Sequence, residues 1–196
     1  MFKLRGAMIG LAGLLLAGCG VGEGTGSTPP WADTQTPVAP PASTAGQDEE
    51  VPEMVEPFRV RMETTKGDVI IDVHPEWAPR GAARFKELVE SGYYSDNRVF
   101  RVVPGFVVQF GMHGDPEMNR TWSENRITDD RVTQSNRRGT VTFATSGADA
   151  RTTQIFINLG DNQNLDTSPG NFAPFGEVVE GMDVVDSFNA EYAEAP

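Results

Sequence analysis

VFRVVPGFVVQFG, residues 99–111 of a 196-residue chain, is the segment that best indicates the architecture. Apolar residues fill both halves, and the Pro104-Gly105 pair between them is typical of a turn. Two short apolar runs joined in this way indicate a buried hairpin. Arg101 and Gln109 are the polar residues within it, and they leave two interpretations open. Either the hairpin is core and Arg101 extends its guanidinium to the surface, or an apolar pocket holds a few directed hydrogen-bond donors.

Short strands of this kind recur along the chain. Phe58–Thr65 alternates apolar and polar residues, Lys66-Gly67 turns the chain, and Asp68–Val73 resumes the strand pattern. Five further runs predict strands: Arg98–Val103, Phe106–Phe110, Thr140–Thr145, Ile155–Leu159 and Phe175–Val179. Apolar residues at helical spacing predict one helix between Pro79 and Gly92 and another over Met182–Ala190. We therefore expect a mainly β fold, a closed or nearly closed antiparallel barrel with two helices covering its open ends.

Composition excludes several classes of function. The chain has 28 acidic and 16 basic residues, a formal charge of −12, two His and one Cys. This charge argues against a nucleic-acid partner, because phosphate binding needs clustered Lys and Arg. One cysteine excludes a disulfide framework and a Cys-rich zinc site. We expect neither a metal nor a cofactor, and we interpret Asp129-Asp130 as a solvated turn, not as a catalytic carboxylate pair.

The first 18 residues are typical of a cleaved export signal, a lipoprotein signal peptide that would leave Cys19 as the first mature residue. Lys3 and Arg5 precede an apolar run that is too short to span a bilayer, which needs about 20 residues. Small residues then lead to Cys19, in a pattern that resembles a bacterial lipoprotein box. We expect Cys19 to be lipidated, for example with palmitate, and to anchor the chain in a membrane; the alternative is an ordinary signal peptide with a chance cysteine. Gly20 follows, where the usual inner-membrane retention signal is Asp, and this implies the outer membrane, facing the periplasm.

Residues 19–57 form a predicted tether. They are rich in Gly, Pro, Ser and Thr, and they hold seven acids and no base. Such a segment buries too little apolar surface to fold, and its prolines and like charges favour extension. We interpret it as a disordered spacer for the folded domain, residues 58–196. The alternative is a docking peptide for another protein.

At its central motifs, the chain resembles the cyclophilin family of peptidyl-prolyl cis-trans isomerases, also called rotamases. The similarity covers nearly all of residues 58–188. It is supported by six segments in the same order: TKGD at 65–68, FRVVPGF at 100–106, QFG at 109–111, GTVTFA at 139–144, TTQIFIN at 152–158 and FAPFGEV at 172–178.

The resemblance implies an eight-stranded antiparallel β-barrel capped by two α-helices. Family members usually continue into one more strand after the second helix, whereas this sequence stops at Pro196, so the last strand is expected to be missing. An exposed sheet edge would result. By position, Arg101 resembles the catalytic arginine and Gln109 its hydrogen-bonding neighbour. The substrate-binding positions implied by the resemblance are Phe106, Val107, Thr145, Phe156, Leu165 and Phe172, the last at a rim position that is often His.

The resemblance also implies an activity. We expect a monomeric enzyme that accelerates rotation about X–Pro bonds in exported polypeptides while they fold. Its partners would then be proline-containing polypeptides and, through Cys19, a membrane. Two alternatives remain open: a non-catalytic proline-peptide-binding module of the same fold, and a purely structural envelope lipoprotein.

Overall fold

The computed structural model describes residues 55–188, together with the backbone of one strand near the N-terminus, β1 (Phe2–Ala7). Seven more strands follow: β2 (Phe58–Thr64), β3 (Gly67–Val73), β4 (Val99–Val103), β5 (Val107–Phe110), β6 (Thr140–Phe143), β7 (Ile155–Asn158) and β8 (Pro174–Glu180). The helices are α1 (Pro79–Glu90), α2 (Pro116–Ser123) and α3 (Met182–Asp186), with a 3₁₀ turn at Gln163–Leu165. Residues 8–54, which include Cys19 and all but the last three residues of the predicted tether, and the last eight residues lie outside the described part of the chain.

All strands pair antiparallel in one sheet of order β1-β2-β3-β8-β6-β7-β5-β4. The prediction of a mainly β, antiparallel fold is confirmed, as are all seven strands predicted after residue 57. In the described residues the sheet does not close. It curls into a half-barrel that ends at β1 on one side and at β4 on the other.

Strand alternation explains the β2–β3 hairpin. Val60 and Met62 of β2 and Val69 and Ile71 of β3 are fully buried. Between them Arg59 points outward and binds Asp72 across the pair, Nε to Oδ1, at 2.5 Å. The period-two pattern of the sequence therefore separates the core side of this hairpin from its solvent side.

Helix α1 closes one end of the half-barrel. Pro79 occupies its first turn, and Phe85 and Leu88 are fully buried. The Phe85 ring packs at 4.9 Å from that of Phe175, between ring centroids. The second predicted helix is confirmed as α3, although it ends at Asp186, earlier than expected.

The interpretation of Asp129-Asp130 as a solvated turn is wrong. The Asp130 carboxylate accepts hydrogen bonds from the backbone N–H groups of Arg80 at 3.1 Å and Gly81 at 2.8 Å, at the start of α1. It also binds the buried Arg151 guanidinium at 3.0 Å, and Asp129 lies 3.3 Å from the same group. The Asp130 carboxylate thus holds the helix terminus, and Arg151 pairs the charges of both carboxylates.

Two elements were not predicted. Helix α2 begins with Asp115 accepting a hydrogen bond from the Glu117 N–H at 2.9 Å, and it buries Trp122. Strand β1 pairs with β2 over six residues, from Phe2 opposite Thr64 to Ala7 opposite Arg59. Its residues fall in the predicted export signal. None of the helices in residues 55–188 is long and apolar enough to cross a membrane.

Candidate functional site

One row of side chains runs across four neighbouring strands. Arg101 of β4 lies opposite Gln109 of β5, Gln109 lies opposite Phe156 of β7, and Phe156 lies opposite Thr142 of β6. The adjacent row faces the core and is buried: Val102, Val108, Ile157 and Val141. Because successive side chains of a strand point to opposite faces, alternation brings Arg101 and Gln109 together on the other face.

Arg101 and Gln109 form part of a hydrogen-bonded chain. The Arg101 Nη1 donates to Gln109 Oε1 at 3.2 Å, and the Gln109 Nε2 donates to Gln154 Oε1 at 2.9 Å. The guanidinium carbon lies 5.9 Å from the centroid of the Phe106 ring. Gln154 thus fixes the amide that orients the guanidinium. No role for Gln154 was predicted from the sequence, although it lies two residues before Phe156 within the TTQIFIN motif at 152–158.

These polar groups border an apolar cavity of about 260 Å³. All eight residues that the resemblance implied for the site line it: Arg101, Gln109, Phe106, Val107, Thr145, Phe156, Leu165 and Phe172. Ala144 is an additional wall residue. The rings of Phe156 and Phe172 meet edge to face, with centroids 5.9 Å apart. Of the two interpretations of the hairpin, the structure supports the pocket, because the half-buried Arg101 lines the cavity.

The two loops that carry Leu165 and Phe172 are held by a polar network. Asp166 accepts hydrogen bonds from the Ser135 hydroxyl at 2.5 Å and from the backbone and side-chain N–H groups of Asn136, both at 2.8 Å. The Asn136 amide also donates to the Phe172 carbonyl at 2.8 Å. Partial burial opposes ionisation of Asp166, but these hydrogen bonds outweigh it and lower the pKa of Asp166 below its usual value of 3.8.

Close packing beneath the rim shapes the cavity further. A Cβ atom at Gly170 would lie 2.6 Å from the Phe172 ring and 3.0 Å from the Thr145 methyl group. The Thr145 hydroxyl donates to the Gly147 carbonyl at 2.5 Å, within its own turn. A peptide bound beside Thr145 would therefore meet its main chain more readily than its hydroxyl.

The chemistry of the lining follows from these groups. A guanidinium offers several N–H donors in a rigid plane, and the aromatic and aliphatic walls accept an apolar ring while excluding water. The cavity is therefore suited to hold a small apolar ring and to donate hydrogen bonds to an amide attached to it.

Comparisons with known proteins agree with this fold. The family model described as "Cyclophilin type peptidyl-prolyl cis-trans isomerase/CLD" matches residues 59–195. A peptidyl-prolyl cis-trans isomerase-like 3 of Rhizopus delemar is 35% identical over 133 residues, which are 63% of this chain and 76% of that protein. A peptidyl-prolyl cis-trans isomerase A of Dickeya dadantii is 35% identical over 139 residues, 69% of this chain and 73% of that protein.

Solved structures show the same fold. A cyclophilin-type peptidyl-prolyl cis-trans isomerase of Cryptosporidium parvum superposes with a TM-score of 0.60 at 22% identity, covering 72% of this chain and 91% of that one. The same protein in the presence of the dipeptide Ala-Pro superposes with a TM-score of 0.57, covering 69% of this chain and 89% of that one.

Proposed function

The chain belongs to the cyclophilin-type peptidyl-prolyl cis-trans isomerases, and we propose that it performs the isomerisation at the cavity between Arg101 and Phe156. Rotation about an X–Pro bond crosses a barrier of about 18–20 kcal/mol, because resonance gives the amide partial double-bond character. Uncatalysed exchange therefore takes tens to hundreds of seconds. Catalysis requires a site that binds the half-rotated amide more tightly than either planar form.

Arg101 is the residue we assign to this task. When the amide twists, resonance is lost and the proline nitrogen becomes a better hydrogen-bond acceptor. A guanidinium N–H directed at that nitrogen stabilises the twisted state more than the planar states. Gln109 keeps the guanidinium in place, since its Oε1 accepts the Nη1 hydrogen bond, and Gln154 holds Gln109 in turn.

The apolar wall has a separate role in the proposal. The proline ring would pack against Phe156, Leu165 and Phe106 and stay in place while the preceding residue rotates. Water excluded by these side chains cannot compete for the Arg101 hydrogen bond, which is stronger in a dry site. Val107, Thr145 and Phe172 complete the contacts with the peptide.

One arrangement carries the proposal: a guanidinium, its amide neighbour and three apolar walls converge on a single cavity of about 260 Å³. The proposal is tested by the rate of cis–trans exchange about the Ala-Pro bond of a peptide, measured by NMR in the presence of the full chain or of its Arg101→Ala variant. We expect the substitution to lower kcat/KM roughly a hundredfold, the loss typical of removing one transition-state donor. Arg98→Ala, at an exposed arginine three residues away, is the matched control and should retain the activity.

The alternative remains a non-catalytic module that binds proline-containing peptides in the same cavity. The NMR exchange experiment with Arg101→Ala also distinguishes these two functions. A chain that binds the peptide without accelerating its exchange would support the binding module, whereas acceleration that disappears with Arg101→Ala supports the isomerase.

We also propose that the enzyme acts on exported polypeptides from a membrane anchor at Cys19, as a monomer at the periplasmic face of the outer membrane. The export-type residues 1–18, the cysteine after them and the acidic, proline-rich residues 19–57 support this proposal. Growth with labelled palmitate tests it in a bacterial host. The wild-type chain should become labelled and fractionate with outer membranes, whereas Cys19→Ser should lose both properties. An unlabelled wild-type chain in the soluble fraction would contradict the anchor.

A further inference from the structure

A second cavity is lined by α1 and by the loop at residues 126–128. Its volume is about 480 Å³. Helix α1 contributes Arg80, Ala83, Arg84 and Glu87, which recur at i, i+3, i+4 and i+7 and therefore form one stripe. We name this cavity the arginine groove, because Arg126 from the loop adds a third guanidinium to its lining.

Arg84 and Glu87 form the fixed floor of the groove. Arg84 is 7% exposed, and its Nε donates to Glu87 Oε2 at 3.0 Å. Its Nη1 donates to the Asn125 carbonyl at 2.5 Å, and its guanidinium lies over the Trp122 ring at 5.4 Å. These two opposite charges are thus paired with each other, and the net positive charge of the groove comes from the other two arginines.

Arg80 and Arg126 offer donors to a ligand. The Arg80 Nη1 donates a long hydrogen bond, 3.4 Å, to the Asp129 carbonyl oxygen and forms no ion pair with the described carboxylates of residues 55–188. Arg126 is exposed, and within residues 55–188 no ion pair involves it. The nearby carboxylates of Asp129 and Asp130 are already bound to Arg151. Within residues 55–188, neither of these two guanidinium groups has a carboxylate partner, and in a chain of charge −12 this indicates a site for carboxylates.

We propose that the arginine groove binds carboxylates of the acidic segment of this chain, residues 48–53. That segment, DEEVPE, carries four acids and no base. Guanidinium and carboxylate groups match in charge and in bidentate geometry. An acidic segment of another polypeptide has the same chemistry, but covalent attachment gives the chain's own segment an effective concentration in the millimolar range.

The segment is within reach of the groove. The Phe58 ring stacks against Phe85 of α1, with ring centroids 6.4 Å apart, so the chain enters the domain beside the helix that forms the groove. From Phe58 back to Glu50 is eight residues, which span up to about 26 Å when extended. To reach the groove from Phe58, the segment has to cross helix α1, which is about 10–12 Å wide with its side chains. The extended segment is long enough for this. Docking would hold the acidic end of the tether against α1 and leave the proline cavity open.

NMR of the full chain tests the proposal. The reference is a variant in which the four acids are neutralised: Asp48→Asn, Glu49→Gln, Glu50→Gln and Glu53→Gln. At low salt, we expect the backbone amides of Ile127 and Thr128 and the Nε–H of Arg126 to differ between the wild-type chain and this neutral variant. In about 0.5 M NaCl the difference should disappear, because salt screens exposed charges. Isomerase activity should be equal in the two chains.

A peptide of residues 47–54, added to the neutral variant, should move the same resonances towards their wild-type positions. Arg126→Glu in the neutral variant should weaken peptide binding about fivefold or more, whereas Arg98→Glu, an equal change of charge outside the groove, should not. Identical wild-type and neutral-variant spectra would overturn the proposal, even if an unrelated acidic peptide binds. So would equal weakening by Arg126→Glu and Arg98→Glu.

Discussion

The site depends on residues that position its lining side chains as well as on the lining side chains themselves. Gln154 is such a residue, because its Oε1 accepts the hydrogen bond that orients Gln109. It lies one residue before β7 and two before Phe156, so alternation extended back from the strand predicts the same side as Phe156. Its partner was not predictable, since Gln109 lies 45 positions earlier in the chain.

Gln154→Leu should reduce kcat without much change in peptide affinity. Loss of one hydrogen bond is worth about 1 kcal/mol, which corresponds to about a fivefold decrease in rate. Gln154→Glu keeps the accepting oxygen and should restore most of the activity, while the exposed Gln134→Leu serves as the control. Exchange kinetics combined with peptide titration separate kcat from binding. An equal decrease of kcat in Gln154→Leu and Gln154→Glu would contradict the positioning role of Gln154.

Gly170 supports the rim in a different way. Gly170 has no Cβ and so leaves room for the Phe172 ring; a Cβ atom at this position would lie 2.6 Å from that ring. Gly170→Ala should therefore displace that ring and raise KM about fivefold, the cost of an off-rotamer side chain, with kcat nearly unchanged. Gly114→Ala, where an added Cβ meets nothing within 4 Å, should leave both constants unchanged. An unaltered KM in Gly170→Ala would show that the rim ring does not contribute to binding.

At the scale of elements, the strands were predictable and their connections were not. Alternation and bounding turns identify each strand locally, whereas α2 offers a short apolar face that includes one fully buried residue, Trp122. Likewise, the Asp166 network joins segments 30 to 36 residues apart. Such contacts depend on the tertiary fold, which no local pattern specifies.

The Asp166 network should make stability depend on pH. Because folding lowers the pKa of this carboxyl, its contribution is complete above the unfolded value, near 3.8, and is lost as the pH falls through the folded value. Asp166→Asn should lower the free energy of unfolding by about 1–2 kcal/mol at pH 7 and by much less near pH 2. Denaturant titrations at both pH values, with the exposed Glu124→Gln as control, provide the measurement. A deficit that is equal at both pH values would refute this role.

The pairing of β1 with β2 predicts a difference between the full chain, which retains the predicted export signal, and a chain without it that starts at residue 20. Without Phe2–Ala7, the outer edge of β2 loses a six-residue partner. Those β2 amides that do not bond to β3 should then exchange with solvent faster, while the amides of the central strand β7 keep their protection. Hydrogen exchange measured by NMR compares the two chains. Unchanged protection along β2 would mean that β1 does not stabilise this edge in solution.

For the molecule as a whole, function depends on where the cavity sits in the sheet. Strands β4, β5 and β7 are neighbours in the sheet. Yet 44 residues, which include helix α2 and strand β6, separate the end of β5 at Phe110 from the start of β7 at Ile155. The resemblance of six segments predicted every wall residue apart from Ala144. It did not predict the β1 edge or the arginine groove, because neither involves a motif of the family.

The proposed isomerisation requires a proline ring in the cavity with its nitrogen beside the Arg101 guanidinium. The decisive measurement is a crystal structure with a bound Ala-Pro peptide. We expect the ring in contact with Phe156 and Leu165, and an Arg101 N–H directed at the prolyl amide. A peptide bound elsewhere, or a ring in the cavity with Arg101 turned towards solvent, would contradict it.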